Sequence, residues 1–208
     1  MGVVSRTRLG WYMALAFGVQ SMQAYTVFGW FAQLYRDAGF SPAVAGLLLG
    51  VITATSIPVS LWVPGAAARR RDQTRIMLAL LACLPVGYLG LLLAPGASLA
   101  LALVWAILVG VGQGTFPLIL TLIGLKTRTA DGTAALSGFT QAVGYLLAAA
   151  APVAVGLMYE ATGGWTPTLL FLLVLCAVLA VLAPLIGKPV VLEDQLEQRA
   201  HERPLARS

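Results

Sequence analysis

Long apolar runs separated by short polar gaps dominate this chain. Six runs stand out, at about 10–34, 43–64, 76–93, 99–124, 133–158 and 166–187, and each gap carries Gly, Pro or charge. About 20 helical residues, rising 1.5 Å each, cross the roughly 30 Å hydrocarbon core of a bilayer. The runs are too long for strands and lack period-two alternation, and a membrane barrel would show segments of about ten residues. The pattern predicts an all-α membrane protein. It has a short N-terminal segment over 1–9, a six-helix transmembrane bundle over 10–187 and a polar C-terminal tail over 188–208.

The charges in the gaps orient the bundle. With the N-terminus in the cytoplasm, the inside segments hold Arg6, Arg8, Arg69, Arg70, Arg71, Arg75, Lys126, Arg128, Lys188, Arg199, Arg203 and Arg207. Of the thirteen basic residues only Arg36 is left outside. Such a Lys/Arg bias sets topology, so the expectation is a multi-pass protein of the cell (inner) membrane with both termini cytoplasmic. The first run is too long for a signal peptide and lacks a cleavage site of small residues. Met1-Gly2 does not start a myristoylation signal, because Arg6 stands where Ser or Thr is needed. The tail from Glu193 onward is expected to be a short surface helix or disordered.

Composition then narrows the function. The chain is 59% hydrophobic and 10% charged, against about a quarter charged in a soluble domain. Its net charge of +5 sits in the gaps rather than on one helix face, which argues against nucleic acid as a partner. Cys83 and Cys176 fall inside apolar runs and behave as small hydrophobes. The one histidine, His201, is in the tail. An intramembrane serine enzyme would need a base near its serine, and a metalloenzyme would need buried ligands. Neither is present, nor is a pair of intramembrane Asp residues, so no enzyme, metal or cofactor is expected. Asp37, Asp72, Asp131 and Glu160 are all assigned to loops. Charge at membrane depth usually marks proton or ion pathways; without it, any proton coupling must reside elsewhere.

Uncharged polar groups do enter the runs. At 100° per residue, Gln20, Gln23 and Trp30 share an arc of about 80°. Ser137, Gln141, Gly144, Tyr145 and Ala148 share another, and Gln113 follows a string of small residues ahead of Phe116 and Pro117. Lipid offers an amide no partner. Two readings stay open. Either the glutamines bond between helices, at about 0.6–2 kcal/mol each, or they face a water-filled cavity and touch a solute. Three Gln-bearing faces favour the cavity, with Gln20, Gln23, Trp30, Gln113, Phe116, Gln141 and Tyr145 as its candidate lining and Tyr25 as a further aromatic wall. Pro58, Pro85, Pro117, Pro152 and Pro184 each remove a backbone donor and can bend a helix. A weak repeat pairs Arg36–Gly39 and Ala45-Gly46 with Arg128–Gly132 and Ser137-Gly138, as an inverted 3+3 arrangement would.

Three stretches resemble one family. They are Gln20-Ser21 with Tyr25, Trp30, Asp37, Gly39, Ser41 and Ala45–Leu48; Gly110–Leu118 continuing through Leu120–Ile123; and Leu136–Ala148 closing on Gly163-Gly164-Trp165. Together they are similar to the C-terminal half of a major facilitator superfamily transporter of the cyanate-permease and nitroimidazole-exporter branch. The resemblance implies a carrier of twelve helices, of which this chain would supply helices seven to twelve. It implies a small, weakly polar or anionic solute, the lipid bilayer, and a missing N-terminal six-helix half or a second copy as partners, with alternating access as the mechanism. The basic loop keeps Gly65 and the Arg69–Asp72 cluster but not the acidic residue that follows the glycine in the superfamily's loop motif. The alternative is a truncated or non-transporting six-helix scaffold or partner subunit. Single cysteines placed at Arg70 and Arg128 are expected to react with a membrane-impermeant reagent from one side of the membrane, and a cysteine at Arg36 from the other.

Overall fold

The computed structural model describes residues 3–96 and 98–202. Among them the regular elements are a 3-10 turn at Val4–Arg6 and helices α1 Arg8–Asp37, α2 Pro42–Ala68, α3 Thr74–Leu93, α4 Leu99–Gly112, α5 Thr115–Leu125, α6 Ala130–Ala148, α7 Ala150–Thr162, α8 Thr166–Gly187 and α9 Leu192–Glu202. Local chemistry sets several boundaries. The side-chain oxygens of Thr7, Ser41 and Thr129 accept the N–H of Gly10, Val44 and Gly132, capping α1, α2 and α6. Gly39 and Gly163 turn the chain after α1 and α7 with φ of +97° and +65°, which only glycine adopts freely.

Two of the six apolar runs are interrupted. Pro117 has no N–H for the carbonyl of Gln113, which accepts from Phe116 instead, at 3.0 Å. The tightened turn at Gln113-Gly114 separates α4 from α5. Pro152 stands just beyond Ala149, where α6 gives way to α7. Pro58, Pro85 and Pro184 lie inside continuous helices. The expected loop positions of the acids are corrected as well. Asp37 closes α1, Asp131 sits in the first turn of α6 and Glu160 in the last turns of α7, leaving Asp72 in a loop. The helices run on past their apolar stretches, and an acid at a helix start is favoured by the dipole. The two halves of the sequence repeat also differ in backbone, Gly39 in a turn and Gly132 in a helix.

Among the described residues, five stretches are long and apolar enough to cross a membrane: α2, α3, α4–α5, α6–α7 and α8. The sixth helix, α1, has ample length at 30 residues but is diluted by Gln20, Ser21, Gln23 and Gln33. Packing explains how it tolerates them. It lies at the centre of the bundle, most extensively against α6 and also against α2, α5, α7 and α8, while α3 packs on α4 and α8. A central helix can carry amides because its neighbours, not lipid, receive them. Where α1 crosses α6 the backbones nearly touch: a methyl group at Gly18 would stand 3.2 Å from the Cα of Gly144 and 3.0 Å from Leu147.

The two ends of the bundle are tied differently. At one end Gln73 N–H donates to Gly187 (3.0 Å), and buried Lys126 donates to Gln73 Oε1, to the Gly187 carbonyl (both 3.4 Å) and to the carbonyl of Lys188. Helix α9 lies across this end. Glu193 Oε1 accepts from the N–H of Arg128 and of Thr129, Asp194 pairs with Arg128 at 2.6 Å, and Gln195 accepts from Leu9 N–H. The Arg69–Arg71 and Arg128 segments thus share one end, and Arg36 is at the other, as the charge pattern requires. Burial opposes the Glu193 charge, but the N–H groups of Arg128 and Thr129 outweigh it and hold its carboxyl below the usual range. Folded-state stabilisation from this group is therefore present at neutral pH and lost as acid protonates it. Protection against hydrogen exchange at Arg128 and Thr129, relative to the intrinsic rate at each pH, is expected to fall once the pH drops below the ordinary glutamate range, and Glu193→Gln to show the lower protection already at neutral pH.

Candidate functional site: a polar seam and an aromatic cavity

The centre of α1 carries a line of buried amides. Gln20 and Gln23 are fully buried and Gln113, at the α4–α5 break, is 5% exposed. Gln23 Nε2 donates to Gln20 Oε1 (3.4 Å), and Gln20 Nε2 donates to Gln113 Oε1 (3.1 Å). Gln23 Oε1 accepts from the Tyr88 hydroxyl of α3 and the Cys176 thiol of α8, both at 3.3 Å. Four spans are thereby stitched together. Gln113 Nε2 and the hydroxyl of Ser21 are buried with no partner among the described residues.

Gln113 also borders a cavity of about 350 Å³. From α1 it is lined by Ser21, Ala24, Tyr25 and Phe28, from α2 by Ser56 and Ser60, from α5 by Phe116 and Pro117, and from α6 by Tyr145. The Phe17 ring braces the aromatic side, 5.4 Å from Phe116 and edge-on to Tyr145 at 5.0 Å. Ser56 and Ser60 donate to the carbonyls of Thr53 and Ser56, so their lone pairs are what they can offer a solute. Such a space suits a small, flat molecule: aromatic walls for its body, and a few polar groups to orient it.

The candidate lining thus divides. The structure brings Gln113, Phe116 and Tyr145 together at this cavity. Gln20 and Gln23 lie behind it, bonded between helices. Gln141 donates to Ser137 Oγ one turn back on its own helix, at 2.6 Å. Trp30 lies toward the far end of the bundle, 6.0 Å from Trp165, where Asp37 accepts from Tyr159 (2.7 Å) and Trp165 (2.8 Å) beside a second cavity of about 410 Å³. Ser21, Phe28, Ser56 and Ser60 were absent from the sequence-based set. The spacing of Thr53, Ser56 and Ser60 on one face of an otherwise apolar run was the available signal for two of them.

A helical bundle that meets lipid with apolar residues and keeps its amides on a central seam is an integral membrane protein. The sequence profile of the Major Facilitator Superfamily matches residues 3–207, and the chain belongs to that family. Among curated relatives it is 37% identical over 168 residues to the uncharacterized transporter YycB of Bacillus subtilis, covering 80% of this chain and 41% of that protein. To the 2-nitroimidazole transporter of Escherichia coli it is 34% identical over 184 residues, or 88% of this chain and 46% of the relative. To the cyanate transport protein CynX of Escherichia coli it is 28% identical over 161 residues, or 76% and 41%. The chain therefore spans less than half the length of these relatives.

The α1–α6 crossing supports the aromatic side of the cavity. A Gly18→Val substitution is expected to force those helices apart, at about 1–3 kcal/mol for overpacking. The expected readouts are a lower melting temperature in detergent and a weaker near-ultraviolet dichroism from the Phe17, Phe116 and Tyr145 cluster.

Proposed function

We propose that the chain acts as one half, helices seven to twelve, of a major facilitator transporter and is not an enzyme. It moves a small, weakly polar or anionic solute through the cell (inner) membrane by alternating access, with the end that carries α9 and the basic loops in the cytoplasm. The observation that carries this reading is the cavity of about 350 Å³ lined by four aromatic side chains with Gln113 and Ser21, whose amide nitrogen and hydroxyl have no partner among the described residues. Its location supports a companion half. Tyr25, Phe28 and Tyr145 are exposed at 42–45% on the cavity side, and the two least buried spans of the five are α2 and α6–α7, which contribute to that lining. In a two-half carrier the solute is held between the halves near the midplane, so a second six-helix unit would close this open side. The relatives named for 2-nitroimidazole and cyanate transport agree in solute size and polarity with such a space.

The test is uptake of labelled 2-nitroimidazole and cyanate into proteoliposomes. Activity is expected when the chain is joined by a six-helix companion or a second copy, and Phe116→Ala or Tyr145→Ala should lower it about tenfold, the equivalent of about 1.4 kcal/mol of lost solute contact. Uptake by the lone monomeric chain would contradict the half-carrier reading, and uptake indifferent to both substitutions would contradict the cavity.

A further inference from the structure

The buried amides form a chain with a direction. Tyr88 and Cys176 donate to Gln23, Gln23 donates to Gln20, and Gln20 donates to Gln113. Each amide thus uses its oxygen toward the α3–α8 end of the chain and its nitrogen toward the Gln113 end. At the last member the oxygen is taken and the nitrogen is left over, buried and without a partner among the described residues, on a side chain that lines the cavity. Reversing every amide would make the left-over atom of Gln113 an acceptor, so the direction decides what Gln113 offers.

The far end of the chain sets that direction. The Tyr88 hydroxyl and the Cys176 thiol each bring a proton, and neither makes another hydrogen bond among the described residues. In the reversed chain both protons would be stranded in a packed interior, where an unsatisfied donor is costly. With Gln23 oriented by two donors, Gln20 and then Gln113 follow, because each amide can satisfy its neighbour in only one sense. Gln20 and Gln113 are connected at 3.1 Å with no room for a mismatched pair of like atoms.

We propose that Tyr88, Cys176, Gln23 and Gln20 are positioning residues that fix Gln113 as a hydrogen-bond donor toward the cavity, so that the site selects solutes bearing an acceptor group, such as a carboxylate, nitro or carbonyl oxygen, over solutes bearing only donors. The proposal rests on the solute-cavity reading above and adds its polarity. The Ser21 hydroxyl, on the same cavity lining and without a partner among the described residues, has a proton to give the same acceptor. The serines of α2, whose protons are held by backbone carbonyls, take no part in binding that group. A buried donor without a protein partner gains its full hydrogen bond when the solute arrives, and a charged acceptor strengthens it. This is where discrimination between an acceptor and a donor of equal size is largest.

Two measurements on the full chain in lipid nanodiscs separate the parts of this argument. The first is infrared spectroscopy of the Cys176 S–H stretch in a Cys83→Ala background. Donation to Gln23 lowers that frequency, so Gln23→Leu is expected to raise it; a band unmoved by Gln23→Leu would overturn the directed chain whatever the cavity binds. The second is equilibrium dialysis of labelled benzoate and benzylammonium, which share a ring and oppose each other in hydrogen-bonding sense. Benzoate is expected to bind at least about tenfold more tightly, a preference lost in Gln113→Met. In the Tyr88→Phe/Cys176→Ala pair, where nothing holds the direction, the preference should shrink several-fold while total binding of the two probes persists. A merely structural role would weaken both probes alike. Equal binding of the two probes by the unmodified chain, or an unchanged preference in the double variant, overturns the proposal. Failure of both probes to bind, with the S–H band behaving as expected, overturns the solute reading of the cavity and the selectivity built on it, and leaves the hydrogen-bond chain standing.

Discussion

An amide inside a lipid-embedded bundle can send its hydrogen bonds only to another protein group, and this constraint places α1. Gln20 and Gln23 are fully buried, and lipid contact at either would strand several donors and acceptors. Their partners come from α3, the α4–α5 break and α8. Helix α1 must therefore be in the middle. With little hydrophobic force to drive helices together inside a membrane, such bonds and close backbone contacts carry much of the association. The Gly18–Gly144 approach supplies the contact and the glutamine seam supplies the bonds. Both lie on the most polar of the long helices, the one less apolar than its five companions.

The helix interruption at Gln113-Gly114 belongs to the same logic. Pro117 takes a donor away from the α4–α5 ladder, and the tightened turn answers it at the depth where Gln113 joins the seam. A straight helix there would give the amide a different height and aim. Phe116 N–H bonds back to Gln113, so the carbonyl that Pro117 leaves without its usual donor is not stranded. At the ends, water is available and charge reappears. Lys126 gathers the carbonyls that end α8, Glu193 gathers the N–H groups that open α6, and at the other end Asp37 gathers Tyr159 and Trp165. Each of these charged groups satisfies a helix end or corner, and none reaches the seam.

Much of this architecture was legible before any coordinates. Apolar length located the helices, since nothing else keeps a backbone satisfied across a bilayer. The placement of all basic residues but Arg36 anticipated which loops share an end. The face carrying Gln20 and Gln23 was visible from helical spacing alone. The recognisable stretches around Gln113 and Gln141 carried the family relation. The sequence also signalled that Pro117 and Pro152 remove donors, though not that these two runs break while those with Pro58, Pro85 and Pro184 continue.

The sequence by itself thus determined the helical class, the common end of the basic loops and the presence of polar groups at membrane depth. These follow from composition and period, which act one segment at a time. Only the tertiary structure decided which glutamine meets which. Gln20 and Gln23 turn to neighbours, Gln141 to its own helix, and Gln113, on the cavity lining, keeps an amide nitrogen with no partner among the described residues. Trp30, on the same helical face as Gln20, ends two to three turns away beside Trp165. Spacing along one helix gives a direction but no height in the bundle and no identity for the neighbour. Those depend on how α1 crosses α6 at Gly18 and on where α4 breaks, and both are properties of packing between segments far apart in the chain.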